Sequence, residues 1–213
     1  IRRVYETPPP RSAMPPVSIL KPVRGADSRF LDVLRSHADQ DYPEFELLLA
    51  VHSLNDPAVP LIRQVMEEYP HRDIKLIVRR TVTQNTKVGA LIDLLAEARY
   101  NVLLVNDGDI RVPQGYLRTI VAELLQPVNG QETGLVTALY KARAEHLPGL
   151  VEALGVATDF APSTLVAPFV GVTEFAMGST LLFRRSDLES VGGFQALADY
   201  LADDYQLGRL ITR

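Results

Sequence analysis

Cysteine, long apolar runs and dense basic stretches are all missing from this chain, and each absence excludes a class of protein. No cysteine occurs among the 213 residues, so disulfides and thiolate metal sites are impossible, and any metal must be held by oxygen or imidazole ligands. No uninterrupted apolar run reaches the roughly 18 residues of a spanning helix, so we expect the chain as printed to be soluble. A net charge of -4 without clustered Lys and Arg disfavours nucleic acid as a partner.

Three catalytic signatures are missing as well. The sequence has no Ser-His-Asp pattern, no Walker loop and no G-x-G-x-x-G fingerprint, which leaves hydrolase, P-loop and dinucleotide-binding functions without support. The hydrophobic fraction of 46% and the charged fraction of 23% are ordinary for a globular protein, and the length fits one domain. The chain is therefore predicted to fold around one large core.

Proline is concentrated near the start of the chain. The stretch from Pro8 to Pro16 predicts that residues 1–16 form an extended tether, and that residues 17–213 form a single folded domain. The chain opens at Ile1 with no initiator Met and no apolar signal-peptide region, which predicts a start inside a longer protein.

Short apolar runs alternate with segments of helical spacing along the first half of the chain. The predicted strands are 17–20, 45–51, 74–78 and 101–105, and the predicted helices are 28–40, 57–69 and 88–98. This β-α-β order predicts an α/β, Rossmann-like domain with a mainly parallel sheet and helices on both faces. Ligands of such folds bind at the carboxyl ends of the strands.

The second half of the chain is less regular. It contains one further predicted helix at 116–125 and predicted strands at 134–139 and 179–183. Residues 150–172 are rich in apolar side chains but are interrupted by Asp159, Pro162 and Pro168. We expect them to be a poor spanning helix and a fair amphipathic or acceptor-lining element.

Asp107 and Asp109 directly follow the predicted fourth strand. Two carboxylates this close cannot both be buried without a large desolvation cost, so a positive group is expected beside them. Mg²⁺ and Mn²⁺ prefer hard oxygen ligands and are often held by one or two carboxylates together with substrate phosphates. The pair therefore predicts a metal and diphosphate site, and the structural alternative is a loop in which both side chains cap the following turn.

Asp203 and Asp204 form a second acidic pair, at the start of a predicted helix. A carboxylate there is a candidate general base that can take the proton of a hydroxyl group. The alternative is that both charges only favour the helix dipole. Asp56 follows the second strand, where it is predicted to cap the next helix and is also a candidate to face the ligand.

Three cations lie in loop or strand-end positions where a diphosphate would need countercharge: Lys21, Arg24 and Lys87. Taken singly, each is also typical of a solvated surface residue. The histidines have no ligand-like spacing, and all four are predicted to be structural or exposed: His37, His52, His71 and His146.

In order and spacing, several segments together resemble the ceramide glucosyltransferase-like group of inverting glycosyltransferases with the GT-A fold, including bacterial relatives associated with hopanoid biosynthesis. The likeness extends over nearly the whole chain from Val17. The matching segments are residues 17–25, 41–43, 55–57, 85–88, 107–112, 177–179 and 202–205.

The resemblance implies transfer of a hexose or N-acetylhexosamine from a UDP-sugar to a membrane lipid hydroxyl, assisted by Mg²⁺ or Mn²⁺. It implies that Asp56 lies near the uracil and ribose, that Asp107 and Asp109 hold the metal and diphosphate, and that Asp204 is the base. It also implies that the sugar and acceptor cleft is lined by Met177, Gly178 and Ser179. The other residues expected at the donor site are Lys21, Arg24, Lys87 and Asp203.

Two departures from the family pattern refine these expectations. The family carries a Gln/Arg-x-x-Arg-Trp motif downstream of the base, whereas this chain has no Trp and ends at Arg213, so we predict a C-terminally truncated catalytic domain. Phe160-Ala161 stands where animal ceramide enzymes carry a His-Pro pair, so the expected acceptor is broader: ceramide, a hopanoid or another bacterial lipid. The full-length protein is expected on a membrane, with this domain on the cytoplasmic side.

Two other functions stay open on the sequence. One is a module that binds nucleotide sugars without turnover. The other is a phosphotransferase or phosphatase that uses Asp107 as a covalent nucleophile, because an Asp pair after a strand also serves that chemistry.

Overall fold

The computed structural model describes residues 14–128, 130–142, 144, 147–172 and 174–212. Residues 1–13 of the predicted tether and His146 lie outside the described residues. Met14 packs into the hydrophobic core, and the Tyr42 hydroxyl donates a hydrogen bond of 2.6 Å to the Pro15 carbonyl. The end of the predicted tether therefore already belongs to the folded part of the chain.

Six strands form one sheet in the order β3-β2-β1-β4-β6-β5. They are β1 (Val17–Pro22), β2 (Phe45–Val51), β3 (Asp73–Val78), β4 (Val102–Asn106), β5 (Leu135–Thr137) and β6 (Thr180–Arg184). The first four are parallel, and β6 runs antiparallel to both β4 and β5. The prediction of a mainly parallel sheet is confirmed, and each strand lies within two residues of its predicted bounds.

Helices cover both faces of the sheet, as predicted. They are α1 (Phe30–Ala38), α2 (Ala58–Glu68), α3 (Thr86–Glu97), α4 (Tyr116–Leu125), α5 (Leu147–Gly155), α6 (Ala161–Val166), α7 (Arg185–Ser190) and α8 (Asp203–Ile211). Side chains of α1, α2 and α4 share one hydrophobic core, and those of α3, α7 and α8 share another. Ile19 faces the first core and its neighbour Leu20 faces the second, because successive strand residues point to opposite faces. Continuous apolar runs suit a sheet that is covered on both sides.

The order in which strands are added to the sheet reverses at β1. The chain adds β2 and β3 on one side of β1 and then returns to add β4 on the other side. In open α/β sheets the crevice for ligands lies at this reversal, outside the carboxyl ends of the two strands. The loops after Pro22 and Asn106 therefore face each other across the expected binding crevice.

Helix α3 begins two residues earlier than predicted because Asn85 caps it. The Asn85 side-chain oxygen accepts hydrogen bonds from the backbone N–H groups of Lys87 (3.0 Å) and Val88 (3.3 Å). Such capping satisfies N–H groups that have no partner within the helix. As a result, Lys87 lies in the first turn of α3.

The connection from β5 to β6 is more regular than the sequence predicted. Helical backbone runs from Leu147 to Val170, through a wide π-helical turn at Val156–Phe160 and a 3₁₀ turn at Ala167–Val170. Pro162 and Pro168 each lie in the first turn of a new helical piece, where proline is tolerated. Among the described residues, this 24-residue stretch is long and apolar enough to cross a membrane by length and composition.

His37 of α1 is fully buried, in agreement with the prediction of a structural role. Its Nδ1 lies 2.9 Å from the Val33 carbonyl oxygen. Burial lowers the pKa of His37 to about 3, and the nearby charge of Lys21 adds to this effect. His37 is therefore neutral in the folded protein at pH 7.

We expect acid to destabilise the chain through His37. Below the ordinary histidine pKa of 6.5, the imidazole of His37 binds a proton in the unfolded chain but stays neutral in the native state. The free energy of unfolding therefore falls as the pH drops from about 6.5 towards 3. One such group costs up to about 1.4 kcal/mol per pH unit. His37→Phe should flatten this slope in urea titrations at several pH values, whereas His71→Phe, at an exposed position, should keep it. An unchanged slope in His37→Phe would remove His37 as its source.

Candidate active site

A cavity of about 770 Å³ opens at the carboxyl ends of β1, β2 and β4. It lies at the reversal of the sheet, where the topology places a ligand crevice. Five of the residues predicted at the donor and metal site line it: Arg24, Asp56, Lys87, Asp107 and Asp109. The other predicted residues lie beneath the cavity or beside it.

Lys21 supports the acidic turn from below. Its side chain is fully buried at the end of β1, and Nζ donates a hydrogen bond of 2.5 Å to the main-chain carbonyl of Asp107. Burial lowers the pKa of Lys21 to about 7, although the charges of Asp109 and Asp107 oppose this change. Lys21 is absent from the cavity lining, so it positions the turn and does not present a free cation to a ligand.

Lys87 connects the two acidic pairs. Its Nζ lies 2.6 Å from Asp107 Oδ1 and 4.0 Å from Asp203 Oδ2. Burial opposes the charge of Lys87, but Asp107, Asp203 and Asp204 together raise its pKa, so it remains a cation. The residues predicted at the end of β4 and at the start of α8 therefore meet around one ammonium group.

Asp204 lies in close contact with Gly178. A Cβ atom added to Gly178 would lie only 2.7 Å from Asp204 Oδ2 and 3.4 Å from Lys87 Nζ. The other Asp204 oxygen, Oδ1, accepts a hydrogen bond of 2.8 Å from the Tyr205 N–H. Only a residue without a side chain leaves room for the carboxylate at this distance.

Asp203 is held from the opposite side. It is buried, and its Oδ1 accepts a hydrogen bond of 3.1 Å from the Asn85 side-chain amide. Burial raises the pKa of Asp203 and the charge of Asp204 adds to this, whereas Lys87 and Asn85 oppose it. Asp203 therefore belongs to the framework that holds Lys87 and Asp204 in place.

Asp56 ties two cavity loops together. Its two carboxylate oxygens lie 3.1 and 3.2 Å from the Gly25 nitrogen, whose N–H donates to them, and Oδ1 also accepts from the Ala58 N–H at 2.9 Å. Gly25 has a φ of +70°, a conformation that residues with a side chain rarely adopt. The loop after β1 is thus fixed to the start of α2.

Ser179 is buried next to the site and is committed to backbone contacts. Its hydroxyl donates to the Ala138 carbonyl at 3.1 Å, and its own carbonyl accepts from the Asn106 side chain at 2.8 Å. Ser179 is absent from the lining of the cavity. Arg24 is exposed and lines the cavity beside Gly25.

Sequence reasoning gave no ligand-facing role to three residues of this region. Arg79 donates a hydrogen bond of 2.9 Å to His52 Nδ1, and both residues line the cavity. They directly follow β3 and β2, so the strand-end position that identified Asp107 could also have identified them. Asn85 joins the two halves of the site through its cap of α3 and its bond to Asp203; its sequence segment gave no indication of this partner.

The charges of the site suit a phosphorylated ligand. Within the part of the chain that the structure describes, no three His, Asp or Glu residues are arranged to hold a metal ion by themselves. Asp107 and Asp109 nevertheless line one cavity with Arg24, Arg79 and Lys87. A diphosphate could therefore find cations there, and the carboxylate of Asp204 lies near the same Lys87.

The fold matches solved glycosyltransferases of the GT-A type. A mannosyltransferase from Pyrobaculum calidifontis, solved with GDP-Man and Mn²⁺, has a TM-score of 0.69 and 22% identity over 97% of this chain and 54% of its own. Glucosyl-3-phosphoglycerate synthase from Mycobacterium tuberculosis, solved with Mn²⁺, UDP and glucosyl-3-phosphoglycerate, has a TM-score of 0.52 and 18% identity over 86% of this chain and 63% of its own. At these identities the likeness establishes the fold alone.

Sequence comparison identifies the family. Ceramide glucosyltransferase 1 from Caenorhabditis elegans is 27% identical over all of this chain and 45% of its own length. Ceramide glucosyltransferase from Komagataella phaffii is 31% identical over 55% of this chain and 24% of its own. The chain thus spans less than half the length of these relatives. The family model for glycosyl transferase family 21 matches residues 1–213, and the chain belongs to that family.

Proposed function

We propose that this domain transfers a hexose or N-acetylhexosamine from a UDP-sugar to a lipid hydroxyl, with inversion at the anomeric carbon. The names of the family relatives support glucose as the sugar and ceramide as one acceptor of this class. The solved neighbours that hold UDP or GDP-Man with Mn²⁺ support a nucleotide-sugar donor. A lipid acceptor also supports a membrane location for the full-length protein.

One observation carries the proposal: Lys87 lies between the two acidic pairs. The 2.6 Å contact with Asp107 joins it to the turn expected to hold the diphosphate. Lys87 is also close to the candidate base, because both border Gly178. A Cβ added to Gly178 would lie 3.4 Å from Lys87 Nζ and 2.7 Å from Asp204 Oδ2. A leaving diphosphate and an attacking hydroxyl must flank the same anomeric carbon, so the groups that serve them must lie close together.

In the proposed reaction the acceptor oxygen forms a bond to the anomeric carbon as the bond from that carbon to the diphosphate oxygen breaks. Asp204 takes the proton of the acceptor hydroxyl, and the nucleoside diphosphate leaves with the bonding electron pair. Lys87 and Arg24 offset the charge that develops on the leaving group. Lys21 and Asp203 keep the acidic turn and Lys87 in position.

The residues present fit a divalent ion. Asp109 is exposed in the cavity lining, and Asp107 lies two positions before it. Mg²⁺ and Mn²⁺ are commonly held by only one or two carboxylates, with water and substrate phosphates as the remaining ligands, so a third protein carboxylate is not required. Asp107 and Asp109 would hold such an ion, which supplies positive charge to the diphosphate.

We expect Asp109→Ala to weaken Mn²⁺-dependent binding of UDP by about tenfold, because it removes one of two carboxylate ligands for the ion. Calorimetric titration of UDP with Mn²⁺ and with EDTA separates the metal-dependent part of the affinity. Asp32→Ala, an exposed change on α1, is the matched control and should leave the titration unchanged. Identical Mn²⁺ titrations for Asp109→Ala and the parent chain would remove Asp109 from the metal site and weaken the case for sugar transfer.

A further inference from the structure

An exposed apolar surface extends over residues 147–172, here called the apolar segment. None of these residues, all of which the structure describes, is buried. Among the large side chains exposed there are Leu147 (76%), Val151 (63%), Leu154 (61%), Phe169 (78%) and Val170 (70%). Single exposed apolar side chains are ordinary, but a continuous patch of this kind marks an interaction surface.

The apolar segment contacts the chain that follows β5, on the side of the candidate base: the ring centroids of Phe160 and Tyr140 lie 5.9 Å apart. Thr137, the last residue of β5, donates through its hydroxyl to the Met177 carbonyl at 3.1 Å and accepts from the Met177 N–H at 2.9 Å. Met177 is followed by Gly178, which contacts Asp204. Outside the segment, the apolar side chain of Leu201 is 95% exposed, three residues before Asp204. Whatever covers the segment will therefore also lie near the catalytic end of the site.

The ends of the segment show how it can meet a bilayer. A single crossing would separate its two ends by the roughly 30 Å of the hydrocarbon core. Here β5 and β6 are antiparallel neighbours with Thr137 opposite Leu181, so the chain leaves the sheet and returns to it at one place. Both connections of the segment therefore start from the same place on the folded domain, which favours entry into a membrane from that side over a crossing, although the helix is long enough to cross.

The pattern of side chains also favours a lipid surface. Leu147, Leu150, Val151 and Leu154 recur at the spacing of one helical face. Within α5, the charged residue Glu152 lies on the face opposite these four side chains, and the other charged residue of the segment, Asp159, lies in the π-helical turn. An amphipathic helix of this type lies in the membrane interface with its apolar side among the acyl chains. Because both charges of the segment are acidic, its own side chains give no attraction to anionic headgroups.

We propose that residues 147–172 insert into a zwitterionic lipid surface from one side and hold the Gly178–Asp204 end of the site at the depth of lipid hydroxyl groups. The role of this insertion in catalysis rests on the proposed function, which supplies the lipid acceptor. Insertion itself can be measured without donor or transfer, so the two proposals can fail separately.

The absence of tryptophan allows a direct test. Phe169→Trp and, independently, Leu154→Trp each introduce a single fluorophore into the apolar segment. With phosphatidylcholine vesicles we expect the emission of both to shift to shorter wavelength and to be quenched by brominated acyl chains. Val82→Trp is the matched control, because Val82 is 88% exposed and follows β3, at the opposite edge of the sheet from β5. Its emission should not change.

Charge placed in the apolar segment should weaken the interaction. The double variant Leu154→Asp with Phe169→Asp should lower partition into phosphatidylcholine vesicles by about tenfold or more, since each change removes one large apolar side chain from the lipid phase. Phosphatidylserine should not strengthen the binding of the parent chain. UDP affinity, measured in parallel, should stay at the parent value.

Three results would overturn the proposal. Emission of Phe169→Trp and Leu154→Trp that stays unchanged at high lipid concentration would exclude insertion. A blue shift that follows protein concentration without lipid would assign the surface to a second copy of the chain. Equal responses of Val82→Trp and Phe169→Trp would mean non-specific adsorption. Insertion without any sugar transfer would instead refute the proposed function and leave this surface assignment standing.

Discussion

Replacing Asp204 with Asn should lower the rate of sugar transfer by about a thousandfold while donor affinity stays within a few-fold of the parent value. The amide has nearly the same size as the carboxylate, and its oxygen can still accept the Tyr205 N–H, so the contact with Gly178 is kept. It cannot take the proton of the acceptor hydroxyl, and general bases typically contribute about 10²–10⁴-fold to the rate. The measurement is release of UDP together with labelled glycolipid, at saturating donor and lipid.

Asp203→Asn is the matched control for this prediction. Asp203 is the buried neighbour that bonds to Asn85, so its loss should cost less than the loss of Asp204. The reverse order of the two effects would assign the base to Asp203. If the parent chain bound UDP-sugar with a metal ion but released no UDP in lipid extract, the domain would be a binding module without turnover.

Gly178→Ala should reduce the turnover rate by about a hundredfold with little change in UDP affinity. The new Cβ would lie 2.7 Å from Asp204 Oδ2, a distance at which one of the two groups must move. A displacement of about 1 Å in a reacting group is enough to cost about 10²-fold in rate. Because the nearest atom belongs to a side chain and not to the backbone, we expect the carboxylate to shift and the fold to survive.

Gly115→Ala is the matched control, which tests whether a Gly→Ala substitution outside the candidate site also lowers the turnover rate. Nothing lies within 4 Å of a Cβ at Gly115, which precedes α4 and lies outside the candidate site. Its turnover should equal that of the parent, and thermal unfolding should show that both variants fold. Parent-like turnover in Gly178→Ala would mean that the position of Asp204 has no influence on the chemistry.

Much of the architecture could be predicted because it depends on local patterns. The apolar runs at β1, β2 and β4 are buried on both faces, so they stand out from the helical spacing between them. The β-α-β order then fixed the parallel part of the sheet and placed Asp107 and Asp109 at a strand end. The predicted resemblance to ceramide glucosyltransferases is confirmed by the family match.

The helical backbone of the apolar segment was missed for a physical reason. The criterion of an uninterrupted apolar run fails at Glu152 and Asp159, and Pro162 and Pro168 suggest breaks in any helix. A wide turn and a 3₁₀ turn next to these prolines absorb their steric demands in the folded chain. Local irregularity of this kind leaves no periodic signal in the sequence.

Local patterns along the chain were enough to predict the order of strands and helices in its first half, the strand-end position of the acidic turn and the family. Three features depend on the folded arrangement: Lys21 is buried beneath that turn, Lys87 joins Asp107 to Asp203, and Gly178 leaves room for Asp204. These contacts join residues that are far apart along the chain, such as Lys87 and Asp203. Periodicity reports how a segment meets solvent and core, but the distance between two distant side chains depends on how the whole sheet packs.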